Sequence, residues 1–221
     1  LVAAGVQATI GPFSSQVVQE LLPLAEKAGV LMVSPTATAS VLTRQDDAFV
    51  MLSPSTRELT HAYAELLWQR GQRRLAVATA TDTRNGLYAM AWRDGFSAAF
   101  LALGGVLTAQ QGFASAASTA YGDVVRALLD SQPDGMVFAC GSVDAVRLAV
   151  QARKQAAELP VAVAEGAGGE ALIALGGQAV EGVVVGQLHD RSSRAPRYLG
   201  FVDAYQARFG RLPGYHAVLS H

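Results

Sequence analysis

The residues best placed to do chemistry are small hydroxyls after two short apolar runs, and one isolated carboxylate. Ile10-Gly11-Pro12-Phe13-Ser14-Ser15 continues the run Ala8-Thr9-Ile10, and Ser34-Pro35-Thr36-Ala37-Thr38 follows Val30-Leu31-Met32-Val33. In an open α/β sheet the carboxyl ends of the strands face the ligand crevice. Ser14 and Ser15 also open a helix, whose first backbone N–H groups suit a small anion such as a carboxylate. Serine at that place is equally an ordinary N-cap, and the two roles are compatible. Glu165 follows the apolar stretch Pro160–Ala164 and precedes Gly166-Ala167-Gly168-Gly169. A carboxylate at a strand end is costly to desolvate unless a cation meets it. The pattern is that of a binding cradle, not of a reaction centre, and no enzyme activity is expected.

The rest of the composition narrows the classes further. Half of the chain (51%) is hydrophobic, which marks an ordered globular protein. Seventeen basic residues stand against eighteen acidic ones, a formal net charge of −1, so there is no electrostatic case for nucleic acid or an anionic membrane surface. Cys140 is the single cysteine, which excludes an internal disulfide and a cysteine-based zinc cluster. It follows the apolar Met136-Val137-Phe138-Ala139 and reads as a small core residue. His61, His189, His216 and His221 are scattered without metal-ligand spacing. The glycines after Glu165 lack the dinucleotide-binding spacing, and there is no nucleophile elbow or phosphate loop. No cofactor and no metal are expected. No apolar run approaches the roughly twenty residues of a membrane span, and no signal peptide is read here. The chain opens on Leu1 and stops at His221 in a helical pattern, so it reads as a segment of a longer protein.

Periodicity supplies the elements that must position these residues. Strands are expected at 7–10, 30–33, 49–52, 74–79, 106–110, 135–139, 161–164 and 183–186. Helices are expected at 15–28, 56–70, 86–103, 121–130, 143–155, 170–175 and 196–209. Such alternation means parallel sheets flanked by helices on both faces. The block from about Thr56 to Gly186 holds a complete doubly wound domain of five strands. The residues before it supply too few strands for a closed lobe, and that lobe is expected to be poorly stable alone.

In this order the chain resembles the type I periplasmic binding proteins of the branched-chain amino-acid (leucine/isoleucine/valine) group, the substrate-binding components of ABC importers. The resemblance runs essentially end to end. It rests on Ile10–Ser15, Pro23–Val30, Ser34–Thr38 with Leu42-Thr43, Asp123–Val125, Pro133-Asp134-Gly135, Glu165-Gly166 and Val180–Val183. It implies two doubly wound α/β lobes with a ligand cleft between them, the first lobe incomplete in this segment. Residues 1–54 would belong to the first lobe, 55–187 to the second, and 188–221 would return into the first. It also implies that the position of Ser14 and Ser15 grips a ligand carboxylate. Thr36, Ala37 and Thr38 would offer acceptors to a ligand ammonium, and Glu165 would pair with that ammonium from the second lobe. Asn85 and Ser142 stand where aromatic residues are common in amino-acid binders, which leaves room for a larger or more polar ligand. Tyr88, Trp92 and Tyr121 could reach the cleft, although Tyr88 and Trp92 at helical spacing suit a core pair equally well. The implied role is extracytoplasmic, in the periplasm: capture of an amino acid or related small solute by lobe closure, and delivery to a membrane permease. The alternative is a ligand-sensing domain of the same fold, such as an amide-type regulator or a receptor input domain.

Overall fold

The computed structural model describes residues 2–82 and 86–221. It contains two parallel sheets. The first has the strand order β1-β2-β3, built from β1 (Ala8–Ile10), β2 (Leu31–Ser34) and β3 (Phe49–Met51). The helix α1 (Ser15–Ala28) connects β1 to β2, and it ends where Gly29 takes a left-handed conformation (φ 64°) and donates its N–H back to the last turn. The core here is small: Val18 and Ala25 of α1, Met32 of β2, and Ala37, Ala39 and Leu42 of the following loop. One edge of the sheet is β1, where Ile10 is 86% exposed. Local stability follows buried apolar contact. In hydrogen exchange of this chain, the amides of β1 and β3 are therefore expected to exchange at least about ten times faster than those of the central strands of the second sheet. Equal protection in both sheets would contradict this.

The second sheet has the order β5-β4-β6-β7-β8. Its strands are β4 (Arg74–Ala80), β5 (Val106–Phe113), β6 (Gly135–Ala139), β7 (Val161–Val163) and β8 (Val184–Val185), all pairing parallel. The helices α2 (Thr56–Gln69), α3 (Gly86–Ala102), α4 (Tyr121–Leu129), α5 (Ser142–Gln155) and α6 (Glu170–Gly176) alternate with them. Every residue of β4 after Arg74 is buried, as a central parallel strand covered on both faces requires. The period of two then sorts its side chains. Leu75 and Val77, with Val137, Ala139, Ala162 and Ala164, face Tyr63, Leu67, Trp92, Phe96 and Phe100 of α2 and α3. Ala76, Ala78 and Ala80, with Met136, Phe138 and Val163, face Val125, Leu148 and Leu172 of α4, α5 and α6, and Cys140 lies fully buried in this layer. The chain starts this sheet at β4, adds β5 on one side and crosses to β6 on the other. The switch point therefore lies between the carboxyl ends of β4 and β6.

Two helices follow: α7 (Pro196–Phe209), none of whose residues is buried, and the short α8 (Tyr215–Leu219). The expected bounds hold for α1, β6 and α7 and shift by a residue or two at most other elements. β5 runs three residues further than its apolar pattern, because Gln111, Gly112 and Phe113 continue the ladder beside Ala78, Thr79 and Ala80. The separate helix α8 lies in the helical pattern on which the sequence stops.

Candidate functional site

A cavity of about 250 Å³ opens where the carboxyl ends of both sheets meet. Phe13, Ser14 and Ser15 at the start of α1 line it, together with Thr36 and Thr38 after β2. Tyr88 of α3, Gly141 after β6, and Glu165 and Gly166 after β7 line it from the second sheet. Tyr215 and His216 of α8 complete the wall. Ser14, Ser15, Thr36, Thr38 and Glu165, named from the sequence, are thus brought to one cavity. Ala37 is 1% exposed and packs with Val18 in the first core, so it is not on the wall. The Ser142 hydroxyl donates to the Ala167 carbonyl (2.9 Å), tying the start of α5 to the turn after β7 while Gly141 faces the cavity. Asn85 lies outside the described residues.

On the first-sheet side the hydroxyls are braces as well as lining. Ser34, fully buried, donates to the Pro12 carbonyl (2.6 Å) and accepts the N–H of Ala37 (3.0 Å). The Thr36 hydroxyl donates to the Phe13 carbonyl (3.0 Å), so the remaining capacity of that oxygen is to accept. The Thr38 carbonyl accepts the N–H of Thr56 at 2.6 Å, so the first residue of α2 takes one of its two lone pairs. The Ser15 oxygen accepts two backbone N–H groups, from Thr38 (3.2 Å) and Ala39 (3.1 Å). A hydroxyl has two lone pairs and one proton. With both lone pairs engaged, Ser15 can only donate, which suits an incoming carboxylate at the α1 N-terminus. Ser15→Ala is expected to lower stability by about 1–3 kcal/mol in urea unfolding, because it strands two buried N–H donors. A change within experimental error would mean that those donors find water.

On the second-sheet side Glu165 is 3% exposed and each of its oxygens has a donor. The Tyr88 hydroxyl donates to Oε1 (2.8 Å) and the Trp92 indole N–H to Oε2 (2.6 Å). Burial pushes the Glu165 carboxyl above the usual carboxylate range, and these two hydrogen bonds pull against it. Tyr88 and Trp92 therefore combine the two roles open from their spacing: Trp92 is fully buried core, and both bond the acid of the site. Tyr121 instead donates to Asp144 (2.5 Å), outside the cavity wall.

Phe13, Tyr215 and His216 were not singled out for the site by their spacing. Phe13 and His216 meet edge to face, with ring centroids 6.1 Å apart, and Tyr215 packs against both His216 (5.3 Å) and His189 (5.6 Å). The Pro213-Gly214 break just ahead of Tyr215 is the signal that α8 begins there. Among the described residues no group of three or more His, Cys, Asp or Glu side chains could hold a metal ion, and no helix is long and apolar enough to cross a membrane.

Comparison with curated protein sequences finds no match. Solved structures do match. A leucine-binding protein LivK from Thermotoga maritima superposes with a TM-score of 0.88 at 23% identity, over 98% of this chain and 61% of that one. The branched-chain amino-acid transporter substrate-binding protein LivJ from Streptococcus pneumoniae, in complex with isoleucine, gives 0.82 at 18% identity over 99% and 62%. A solute-binding protein of an ABC transporter from Rhodopseudomonas palustris, in complex with 3,4-dihydroxybenzoic acid, gives 0.83 at 20% identity over 99% and 60%. The chain thus spans about three fifths of the length of these structures and shares their type I periplasmic-binding-protein fold, with the first lobe incomplete. The family model described as periplasmic binding protein matches residues 1–220. With its paired parallel sheets and the cavity at their carboxyl ends, the chain belongs to the periplasmic binding protein family.

Proposed function

We propose that this chain is the larger part of an extracytoplasmic solute-binding component of an ABC importer, and that it binds a small α-amino acid by closing two lobes upon it. Residues 1–54 and 188–221 would belong to one lobe and 55–187 to the other. One observation carries the reading: the cavity offers donors on one side and a single buried carboxylate on the other. The Ser15 hydroxyl and the α1 N-terminus, with Ser14, fit a carboxylate. Glu165, with acceptor oxygens at Thr36 and Thr38, fits an ammonium. Among the described residues the lining contains no lysine or arginine, and Glu165 is its one carboxylate. A ligand touching both sides favours closure through its differential affinity, and the closed form would be delivered to a membrane permease. The role is binding and delivery, with no chemical step.

The test is thermal unfolding of the intact parent protein against L-α-amino acids, benzoic acids and amides. Ligand at a thousand times its dissociation constant stabilises by about 4 kcal/mol, which moves the midpoint by several degrees. A shift with neutral amino acids is expected. A shift confined to benzoic acids or amides would keep the fold and overturn the ligand class.

A further inference from the structure

Tyr88 and Trp92 lie four residues apart on α3 and so share one helix face. Each gives its polar hydrogen to a different oxygen of the same buried carboxylate. Neither hydrogen can readily turn away. The indole N–H is a donor only. The Tyr88 oxygen accepts the N–H of Gly166 (3.0 Å), which leaves its proton directed at Glu165. That approach depends on the glycine, because a Cβ at residue 166 would fall 2.9 Å from the Tyr88 hydroxyl oxygen. Trp92 is held in turn, stacked on Phe96 (5.2 Å, 13°) and met edge-on by Tyr63 (5.2 Å, 81°). Tyr63 donates to the Val163 carbonyl and accepts the N–H of Gly186, so the indole is anchored to both β7 and the strand exit after β8.

Among the described residues, the other titratable groups around Glu165 are Tyr63 of α2 and Tyr215 and His216 of α8. Among the described residues no arginine or lysine forms an ion pair with Glu165. A carboxylate buried to this degree without a cation is expected to protonate. Donors fixed on both oxygens pull the other way and favour the charged form, so the carboxyl rises less than burial alone would take it.

Building on the function proposed above, we infer that Tyr88 and Trp92 are positioning residues that hold Glu165 as an oriented, ionised carboxylate before ligand arrives, so that a ligand ammonium meets a charge already in place. Less of the binding free energy then goes into ionising and ordering the acid.

The chain has two tryptophans, Trp68 and Trp92, so the indole N–H of Trp92 is readily assigned in a ¹⁵N–¹H spectrum of the intact protein. Titrated without ligand between about pH 4 and 8, that resonance is expected to move with one midpoint set by Glu165. In Glu165→Gln it should not titrate. In Tyr88→Phe, which keeps the ring on the cavity wall, the midpoint should rise by about one pH unit, the tenfold effect of one lost hydrogen bond to a charge. The affinity for the amino acid giving the largest thermal shift should then fall about tenfold near pH 6 and markedly less near pH 8. Trp92→Phe should act in the same direction on affinity; Tyr88→Phe stands alone if that variant does not fold. An unchanged midpoint in Tyr88→Phe, or an affinity loss equal at both pH values, would overturn the inference. A midpoint that rises as expected in a protein that binds no amino acid would support the positioning of Glu165 and overturn the proposed ligand class.

Discussion

Glu165→Gln is expected to weaken amino-acid binding by about 3 kcal/mol, more than a hundredfold, while leaving the ligand-free protein folded and about as stable as before. The loss follows from removing the charged partner of a desolvated ammonium. The retained stability follows from the hydrogen-bond inventory around the residue. Trp92 can only donate, so the amide oxygen of the glutamine must face it. The amide NH₂ then faces Tyr88, whose oxygen can accept it only once its own proton turns away; that lost hydrogen bond costs about 1 kcal/mol and is offset because the neutral amide buries no charge. Glu165→Ala has no such rearrangement. It strands both donors and should cost about 1–3 kcal/mol for each. The pH dependence separates the variants from the wild type. Burial places the folded Glu165 carboxyl above its usual range, so the native state holds that proton more tightly than the unfolded chain does. The resulting stability is full below the usual carboxylate range and is lost as the pH rises through the raised value. Ligand-free wild type should show this fall in urea unfolding, and Glu165→Gln should show less of it. A Gln variant that binds amino acids as well as wild type would remove Glu165 from the site.

Phe96→Ala is expected to destabilise the protein by about 3–5 kcal/mol in urea unfolding, at the upper end for a core truncation. Phe96 is fully buried at the middle of a stack, with Trp92 5.2 Å on one side and Phe100 5.6 Å on the other, both near parallel. The three rings come from one face of α3 and fill the layer over Leu75, Val77 and Val137. Removing the central ring opens a cavity that rigid neighbours can close only in part. It also frees the indole that holds Oε2 of Glu165, so affinity should fall together with stability. A loss below about 1 kcal/mol would show that the layer collapses around the gap.

How much of this was legible in the sequence depends on whether the cause is local. The doubly wound second sheet follows from apolar runs such as Leu75–Ala80 and Met136–Ala139, which need no partner to be recognised. The cradle residues at Ser14, Ser15, Thr36, Thr38 and Glu165 follow from the rule that strand ends face the crevice. Their division of labour does not. That Ser15 is a double acceptor bracing Thr38 and Ala39, or that the Thr38 carbonyl is taken by Thr56, depends on contacts 18 to 24 residues apart. The pairing of Tyr88 and Trp92 with Glu165 spans 77 and 73 residues. Helical spacing places the two on one face and says nothing of what that face meets. Gln111 and Gly112 hid the end of β5, because a ladder at the sheet edge needs no apolar side chains. A helical pattern at the end of the chain gives no bounds for the five-residue α8 and does not bring Tyr215 and His216 to the cavity.

The central claim is that the cavity reads both ends of an α-amino acid, the carboxylate at the start of α1 and the ammonium at Glu165. Calorimetric titration of the intact protein with the amino acid giving the largest thermal shift, and with its des-amino counterpart, tests it directly; for L-leucine the pair is L-leucine and 4-methylpentanoate. Removing the ammonium should cost wild type about a hundredfold or more in affinity and Glu165→Gln several-fold at most, a coupling that only a direct ammonium–carboxylate contact produces. Equal affinity of wild type for both compounds would contradict the account and leave Glu165 as a structural acid of the second sheet.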